Sequence, residues 1–155
     1  MAKENPKSIH TGSSDCLSHY TLEDLLPHRD AMLLIGEILN VDSMQAVTLS
    51  TVARTWPMAG QDGVPPLILV ELAAQTAGVC NGWVRLQQKG ADSEKMGFLV
   101  AVKRADFYVA QLSFGLQVTA RAENTLAFDN FREVTSGLYH KDHLLAEVVL
   151  QLYQA

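Results

Sequence analysis

The chain has 155 residues, enough for one domain of ordinary size and too few for two well-developed cores. Apolar residues make up 48% of it and charged residues 19%, a composition that excludes general disorder. The formal net charge of −5 disfavours nucleic acid as a partner, because binding to a phosphate backbone needs the opposite sign. No segment is both apolar and long enough to cross a bilayer, so we expect no membrane partner and a cytoplasmic protein.

The first third of the chain predicts a tail followed by a helical turn and a hairpin. Residues 1–20 are polar and show no hydrophobic period, which predicts a flexible tail, with a single domain over residues 21–155. Thr21 is a candidate N-cap for a short helical turn that ends before Pro27. Two aliphatic segments separated by Asp42 and Ser43 then predict two paired strands, within 32–41 and 46–53.

The middle of the chain predicts a long buried helix. Residues 56–66 are dense in Gly and Pro and predict a shaped loop. Residues 67–90 are too long for a strand and are apolar on nearly every side for four turns, which is typical of a buried helix. Pro65 and Pro66 suit its first positions, and Gly90 suits a left-handed cap.

The last third predicts a series of strands. Alternating or aliphatic segments occupy residues 96–109, 116–122, 127–134 and 144–153. We place turns at Asn124 and at Ser136 through Asp142. The order of two strands, a long helix and then a meander predicts an α+β fold with an antiparallel sheet.

Glu71 is the first candidate for chemistry, because it lies alone among apolar residues of the predicted helix. A buried carboxyl either raises its pKa or finds hydrogen-bond donors, and a carboxyl tuned toward neutrality suits general acid–base catalysis. Gln75 shares its helix face and can supply one hydrogen bond. The alternative is a structural glutamate, satisfied by a loop or by another subunit.

His28 is the second candidate, in a Pro-His-Arg segment that precedes the first predicted strand. It is a base, a substrate contact or a turn residue bonded to backbone. Cys16 and Cys80 have no metal-ligand spacing and are expected to be free thiols. His140 and His143 lack a third ligand nearby in sequence, so we expect no metal and no cofactor.

Taken together, these segments resemble the 3-hydroxyacyl-acyl-carrier-protein dehydratases of the hot-dog fold. The resemblance spans residues 21–153 and is carried by three motifs: Pro27-His28-Arg29, Leu69-Val70-Glu71-Leu72-Ala73-Ala74-Gln75 and Ala105-Asp106-Phe107. It implies a long helix wrapped by one curved antiparallel sheet. It also implies a homodimer or higher oligomer, with each active site at a subunit boundary beside an acyl tunnel.

The resemblance also implies roles for particular residues. Glu71 matches the helix glutamate of the family, but the loop position of the usual histidine base is Pro57 here, so we predict Glu71 and His28 as the catalytic pair. Pro66 replaces a glycine and has no N–H, so a donor to the thioester carbonyl must come from Leu67 or Ile68. Substrate contacts are predicted at Gln75, Leu67, Ile68 and Arg29.

Three functions remain open at this point. The first is elimination of water from a 3-hydroxyacyl thioester carried by acyl carrier protein or coenzyme A. The second is a non-catalytic acyl-binding or partner subunit of a hot-dog assembly, and the third is thioester hydrolysis on the same fold. Because acyl carrier proteins are acidic, docking would need a local basic patch, for which Arg85, Lys103 and Arg104 are candidates.

Overall fold

A computed structural model describes residues 20–93 and 97–154. The predicted tail therefore lies outside the described residues except for Tyr20, and so does Cys16. Within these residues, two α-helices, a 3-10 helix and eight strands follow in chain order: α1 (Leu22–Leu25), the 3-10 helix (Asp30–Met32), β1 (Glu37–Val41), β2 (Gln45–Thr51), β3 (Gly63–Val64), α2 (Ile68–Lys89), β4 (Gly97–Phe107), β5 (Leu112–Ser113), β6 (Gln117–Phe128), β7 (Phe131–His140) and β8 (His143–Gln154).

Six of these strands form one antiparallel sheet in the order β1-β2-β6-β7-β8-β4, and this sheet packs around α2. Alternate residues of the central strands face the helix, as Val118 and Ala120 do in β6. Small residues of the helix, such as Ala73 and Ala77, allow α2 and the sheet to pack closely. The predicted α+β architecture, a long helix wrapped by one antiparallel sheet, is confirmed.

The first hairpin forms as the sequence predicts, with its turn at Asp42. The Asp42 carboxylate accepts hydrogen bonds from the backbone N–H groups of Met44 and Gln45, at 2.7 and 2.9 Å. This side chain therefore mimics a backbone turn and fixes the register of β1 against β2.

Of the two turns predicted in the last third, the one at Asn124 is wrong, and the one over residues 136–142 is too long. Asn124 lies within β6, beside a bulge, and its amide donates to the Asn81 side chain. Ser136 is buried in the middle of β7, so polar residues that resemble turn signals are internal here. The chain turns at Asp129, where the sequence predicts a strand, and at Lys141, near the end of the second predicted turn; both residues have positive φ angles. The loop 56–66 also contains β3, which pairs with β5.

Helix α1 packs against α2 at Gly82, where any side chain would collide with backbone. A Cβ built on Gly82 would lie 2.5 Å from the Leu25 carbonyl oxygen. We expect Gly82→Ala to lower the free energy of unfolding by about 1–3 kcal/mol, because overpacking forces the two elements apart. Urea unfolding measures this effect, with Gln88→Ala on the exposed face of the same helix as the control. An unchanged midpoint for Gly82→Ala would refute this close approach.

Candidate active site

Glu71 and His28 lie in contact within one chain. Glu71 is in the first turn of α2, and its Oε1 is 3.0 Å from His28 Nε2. Both side chains are about two-thirds buried, with 33% and 28% of their surfaces exposed. The two groups meet within one chain because the segment after α1 folds back along α2.

Local backbone chemistry positions His28. Pro27 disfavours helix at Leu26, which is extended, so α1 ends and the chain turns. The Arg29 guanidinium donates hydrogen bonds to the carbonyl oxygens of Leu26 and His28, both at 2.7 Å, and to that of Glu23 at 3.2 Å. Arg29 therefore braces the backbone around His28.

Gln75 holds Glu71 from the other side, as the helix spacing predicts. Its Nε2 donates to Glu71 Oε1 at 3.0 Å and to the Met32 carbonyl at 2.6 Å, and its Oε1 accepts from the Leu34 N–H at 2.9 Å. Gln75 is fully buried, and both its donors and its acceptor are used. The structure thus makes Gln75 a support for Glu71 and for the segment before β1.

Replacing Gln75 by an apolar residue of similar size removes its hydrogen bonds but keeps most of its packing. We expect Gln75→Leu to lower the free energy of unfolding by about 2 kcal/mol, because the buried Leu34 N–H loses its partner. Urea unfolding is the measurement, and Gln87→Leu, an exposed glutamine of the same helix, is the control. If both variants unfold alike, the network around Gln75 contributes nothing.

The Glu71 carboxyl is set up to be ionised. Burial raises its pKa, but hydrogen bonds from His28 and Gln75, together with the charge of His28, outweigh burial and hold the pKa below its ordinary value. Of the two outcomes left open for a buried carboxyl, it has therefore found donors and is not tuned toward neutrality. At neutral pH such a group is a carboxylate and suits the role of a base.

A cleft of about 160 Å³ begins at this pair and runs along α2. Its walls are the segment after α1, one face of α2, the start of β4 and the paired ends of β7 and β8. The lining residues are Leu25, Leu26, Pro27, His28, Glu71, Ala74, Gly78, Asn81, Gly82, Arg85, Gly97, Phe98, Leu99, Arg132, Leu152, Tyr153 and Gln154. Arg29 is not among them.

The two predicted amide donors differ. The Ile68 N–H donates to the Pro65 carbonyl at 3.2 Å, so it is not available to a ligand in this arrangement. The N–H of Leu67 has no partner among the described residues, and Leu67 is exposed. Pro65 and Pro66 form the turn that leads into the helix, so only Leu67 remains as the candidate donor.

Comparison with known proteins identifies the family. A family model described as ApeP-like, ApeP dehydratase, matches residues 20–155. The chain belongs to the ApeP-like dehydratase family. This membership confirms the predicted resemblance to hot-dog dehydratases. No curated protein matches the chain significantly.

Solved structures similar to this ApeP-like chain share its fold. A chain of the dehydratase heterocomplex ApeI:P from Xenorhabdus doucetiae is 26% identical, with 86% of this chain and 90% of that chain covered and a TM-score of 0.79. A hypothetical thioesterase from Streptococcus pneumoniae, solved with coenzyme A, is 10% identical over 76% and 83%, with a TM-score of 0.57. The Escherichia coli PaaI protein is 16% identical over 76% and 82%, with a TM-score of 0.58. The last two comparisons show the fold alone.

The loop of this ApeP-like protein has no histidine at the position where the resemblance implies one. Pro57 occupies that position, between the buried Trp56 and Met58, whose φ angle is 65°. His28 is the histidine that the structure brings to Glu71 instead.

The cations proposed for a basic docking patch are engaged elsewhere. Arg85 is buried and donates to the carbonyl oxygens of Ser93 and Asp24, so its assignment to an exposed patch is wrong. Lys103 pairs with Glu133 at 3.3 Å, and Arg104 pairs with Asp106 and Glu147. The acidic partners cancel much of the positive charge on this surface.

Sequence reasoning missed the polar residues at the far end of the cleft, Asn81, Arg132 and Gln154. They come from α2, β7 and β8, and no motif joins them. Side chains alternate between the two faces of a strand, and Arg132 of β7 lies on the face that points inward. The sequence could have shown this only if the start of β7 had been predicted correctly.

Two other predictions concern thiols and membranes. Cys80 is a free, buried thiol whose pKa is raised by burial to about 12. No helix within the described part of the chain has the length and apolarity needed to cross a bilayer. The predicted cytoplasmic location stays a prediction.

Proposed function

We propose that this protein eliminates water from a 3-hydroxyacyl thioester, with Glu71 as the proton-transfer group. One observation carries the proposal: an ionised carboxylate stands at the head of a partly apolar cleft in a chain of a dehydratase family. The substrate needs a base for its C2 proton, an acid for its departing C3 hydroxyl, and a donor for its thioester carbonyl.

The hydrogen bonds at Glu71 support a mechanism in which one carboxylate does both proton transfers. Oε1 accepts from His28 and Gln75, whereas Oε2 accepts no hydrogen bond from the described residues. In the proposed step, Oε2 takes the C2 proton and the C–H electron pair forms the C2=C3 double bond. The C3–O bond breaks, and the carboxyl returns the same proton to the departing oxygen. An enoyl thioester and water leave, and Glu71 is again a carboxylate.

We propose that His28 acts through Glu71. Its Nε2 is committed to Glu71 Oε1, and its Nδ1 is buried without a hydrogen-bond partner among the described residues. Neither ring nitrogen is both free and accessible to a substrate. His28 therefore serves to stabilise the carboxylate and fix its orientation, and the role of second proton-transfer group stays a prediction.

The thioester carbonyl needs a donor where negative charge develops. The Leu67 N–H, one helical turn before Glu71, is the proposed donor because it has no partner in the described chain and lies at the positive end of the α2 dipole. The predicted substrate contacts at Gln75, Ile68 and Arg29 receive no support from their hydrogen bonds, which are made to protein groups.

We also propose that the chain assembles with a second hot-dog chain through β4. This eleven-residue strand is an edge of the sheet and exposes Phe98, Leu99, Val100 and Val102. An exposed apolar edge is a template for pairing. The partner is a second copy, as the sequence predicts, or a different chain, as in the dehydratase heterocomplex ApeI:P of Xenorhabdus doucetiae. Mass measurement of the purified chain, alone and coexpressed with an ApeI-like chain, distinguishes the two.

A product assay tests the proposed function. The chain, alone and with any partner, is incubated with a 3-hydroxyacyl thioester of pantetheine, of coenzyme A and of acyl carrier protein. The proposal predicts a conjugated enoyl thioester. Release of free thiol and acid would instead identify a thioesterase. Tight binding without product would identify a non-catalytic acyl-binding or partner subunit. Relative rates with the three thioesters identify the carrier.

A further inference from the structure

The cleft changes character along its length. Near the carboxylate, α2 lines it with the small residues Ala74 and Gly78. Further along α2 its lining includes the polar residues Asn81, Arg132 and Gln154, together with Leu152, the cross-strand partner of Arg132. Asn81 lies ten residues beyond Glu71, which places this polar end about 15 Å along the helix axis from the carboxylate.

Arg132 faces the inside of the fold. It stands opposite Leu152 in the sheet register, and Leu152 packs against the core. Its Nη1 donates to the carbonyl oxygens of Asp129 and Phe131. Its Nε and Nη2 make no hydrogen bond to described residues, and no carboxylate of the described chain pairs with it. The guanidinium therefore keeps donors for a ligand.

Neighbouring residues add to this surplus of donors. The Asn81 Oδ1 accepts from the Asn124 amide at 3.1 Å, so its own Nδ2 is left without a partner among the described residues. The Arg85 guanidinium, by contrast, donates hydrogen bonds to the carbonyl oxygens of Ser93 and Asp24. Its charge is balanced in part by the Asp24 carboxylate. Arg132 and Asn81 therefore have N–H groups that can donate hydrogen bonds to an acceptor on a ligand.

The small residues Ala74 and Gly78 decide which part of a thioester substrate lies along this stretch of the cleft. A pantetheine arm carries two amides, which would lose hydrogen bonds to water and find few partners beside Ala74 and Gly78. A hydrocarbon chain loses nothing there and gains from burial. The acyl chain, and not the carrier arm, suits this path.

Resting on the proposed function, we infer that Arg132 and Asn81 select acyl chains whose far end carries a hydrogen-bond acceptor such as a carboxylate. A terminal methyl group would displace water from these donors without replacing its hydrogen bonds, whereas a carboxylate would satisfy them with charge-assisted bonds. The substrate class is then an acyl chain that is polar at both ends.

Binding of inert ligands tests this inference apart from catalysis. Two pantetheine thioethers of equal chain length, one ending in methyl and one in carboxylate, are titrated by calorimetry. We expect the carboxylate ligand to bind about 10- to 100-fold more tightly. Arg132→Met should abolish this preference and should bind the methyl ligand more tightly than the unaltered protein does, because the unpaired donors are gone, and Lys103→Met, on an exposed cation, should preserve the preference. Asn81→Ala, expected to reduce the preference several-fold, provides a second test if Arg132→Met does not fold.

Equal affinity for the two ligands in the unaltered protein, or an unchanged preference in both cleft variants, would overturn the inference. A third ligand, the methyl thioether on phosphopantetheine, tests the reverse direction. If Arg132→Met weakens only this phosphorylated ligand, Arg132 binds the carrier arm and the inference is wrong. None of these results depends on turnover, so a failed product assay would refute the proposed function separately.

Discussion

Glu71→Gln is expected to lower kcat for dehydration by about 10⁴-fold, the upper end of what a general base contributes. An amide cannot take the C2 proton, so the proposed step has no base. The fold should survive, because an amide oxygen still accepts from His28 and Gln75. Steady-state formation of the enoyl thioester measures kcat, and urea unfolding measures stability.

The control for this variant is Glu123→Gln, the same change at an exposed glutamate of β6. It should leave kcat unchanged. If Glu71→Gln retained more than about a tenth of kcat while folded, another residue would have to be the base.

His28→Ala is expected to lower kcat by about 100-fold and to shift the acidic limb of the pH–rate profile to higher pH. The shift is to higher pH because of the way His28 affects the pKa of Glu71. Burial raises the pKa of that carboxyl, and His28 lowers it by hydrogen bonding and by charge. Removing His28 leaves burial opposed by Gln75 alone, so the pKa rises and the carboxylate is lost at higher pH.

Two further variants separate this role from simple packing. His28→Gln, which keeps an N–H donor, should recover part of the rate and part of the pH shift. His143→Ala, an exposed histidine at the start of β8, should change neither. A rate loss in His28→Ala without any shift of the acidic limb would argue against action through Glu71.

The sequence predicts the large elements because their patterns are long. Helix α2 has 22 residues and is buried on nearly every side. An apolar segment of this length is too long for a strand. The pairing of Gln75 with Glu71 follows from helix geometry alone, since residues four apart share a face. The N-cap at Thr21 and the positive φ of Gly90 at the end of α2 follow from local chemistry in the same way.

The features that sequence reasoning missed depend on tertiary structure. The 3.0 Å contact of His28 with Glu71 joins residues 43 positions apart, and the sequence places no limit on which chain supplies the histidine. The direction of the Glu71 pKa follows from that contact and could not be read from an apolar neighbourhood. Asn124 and Ser136 are residue types that favour turns, but both lie within strands here: Ser136 is buried, and Asn124 stands beside a bulge.

The stereochemical course of the reaction tests most directly the claim that one carboxylate makes both proton transfers. The reverse reaction, hydration of an enoyl thioester in deuterium oxide, places deuterium at C2 and a hydroxyl at C3. Because Glu71 reaches the substrate from one side only, the account predicts that both groups add to the same face, as proton NMR coupling in the product would report. Addition to opposite faces would contradict it, since a second proton-transfer group would then have to stand across the substrate.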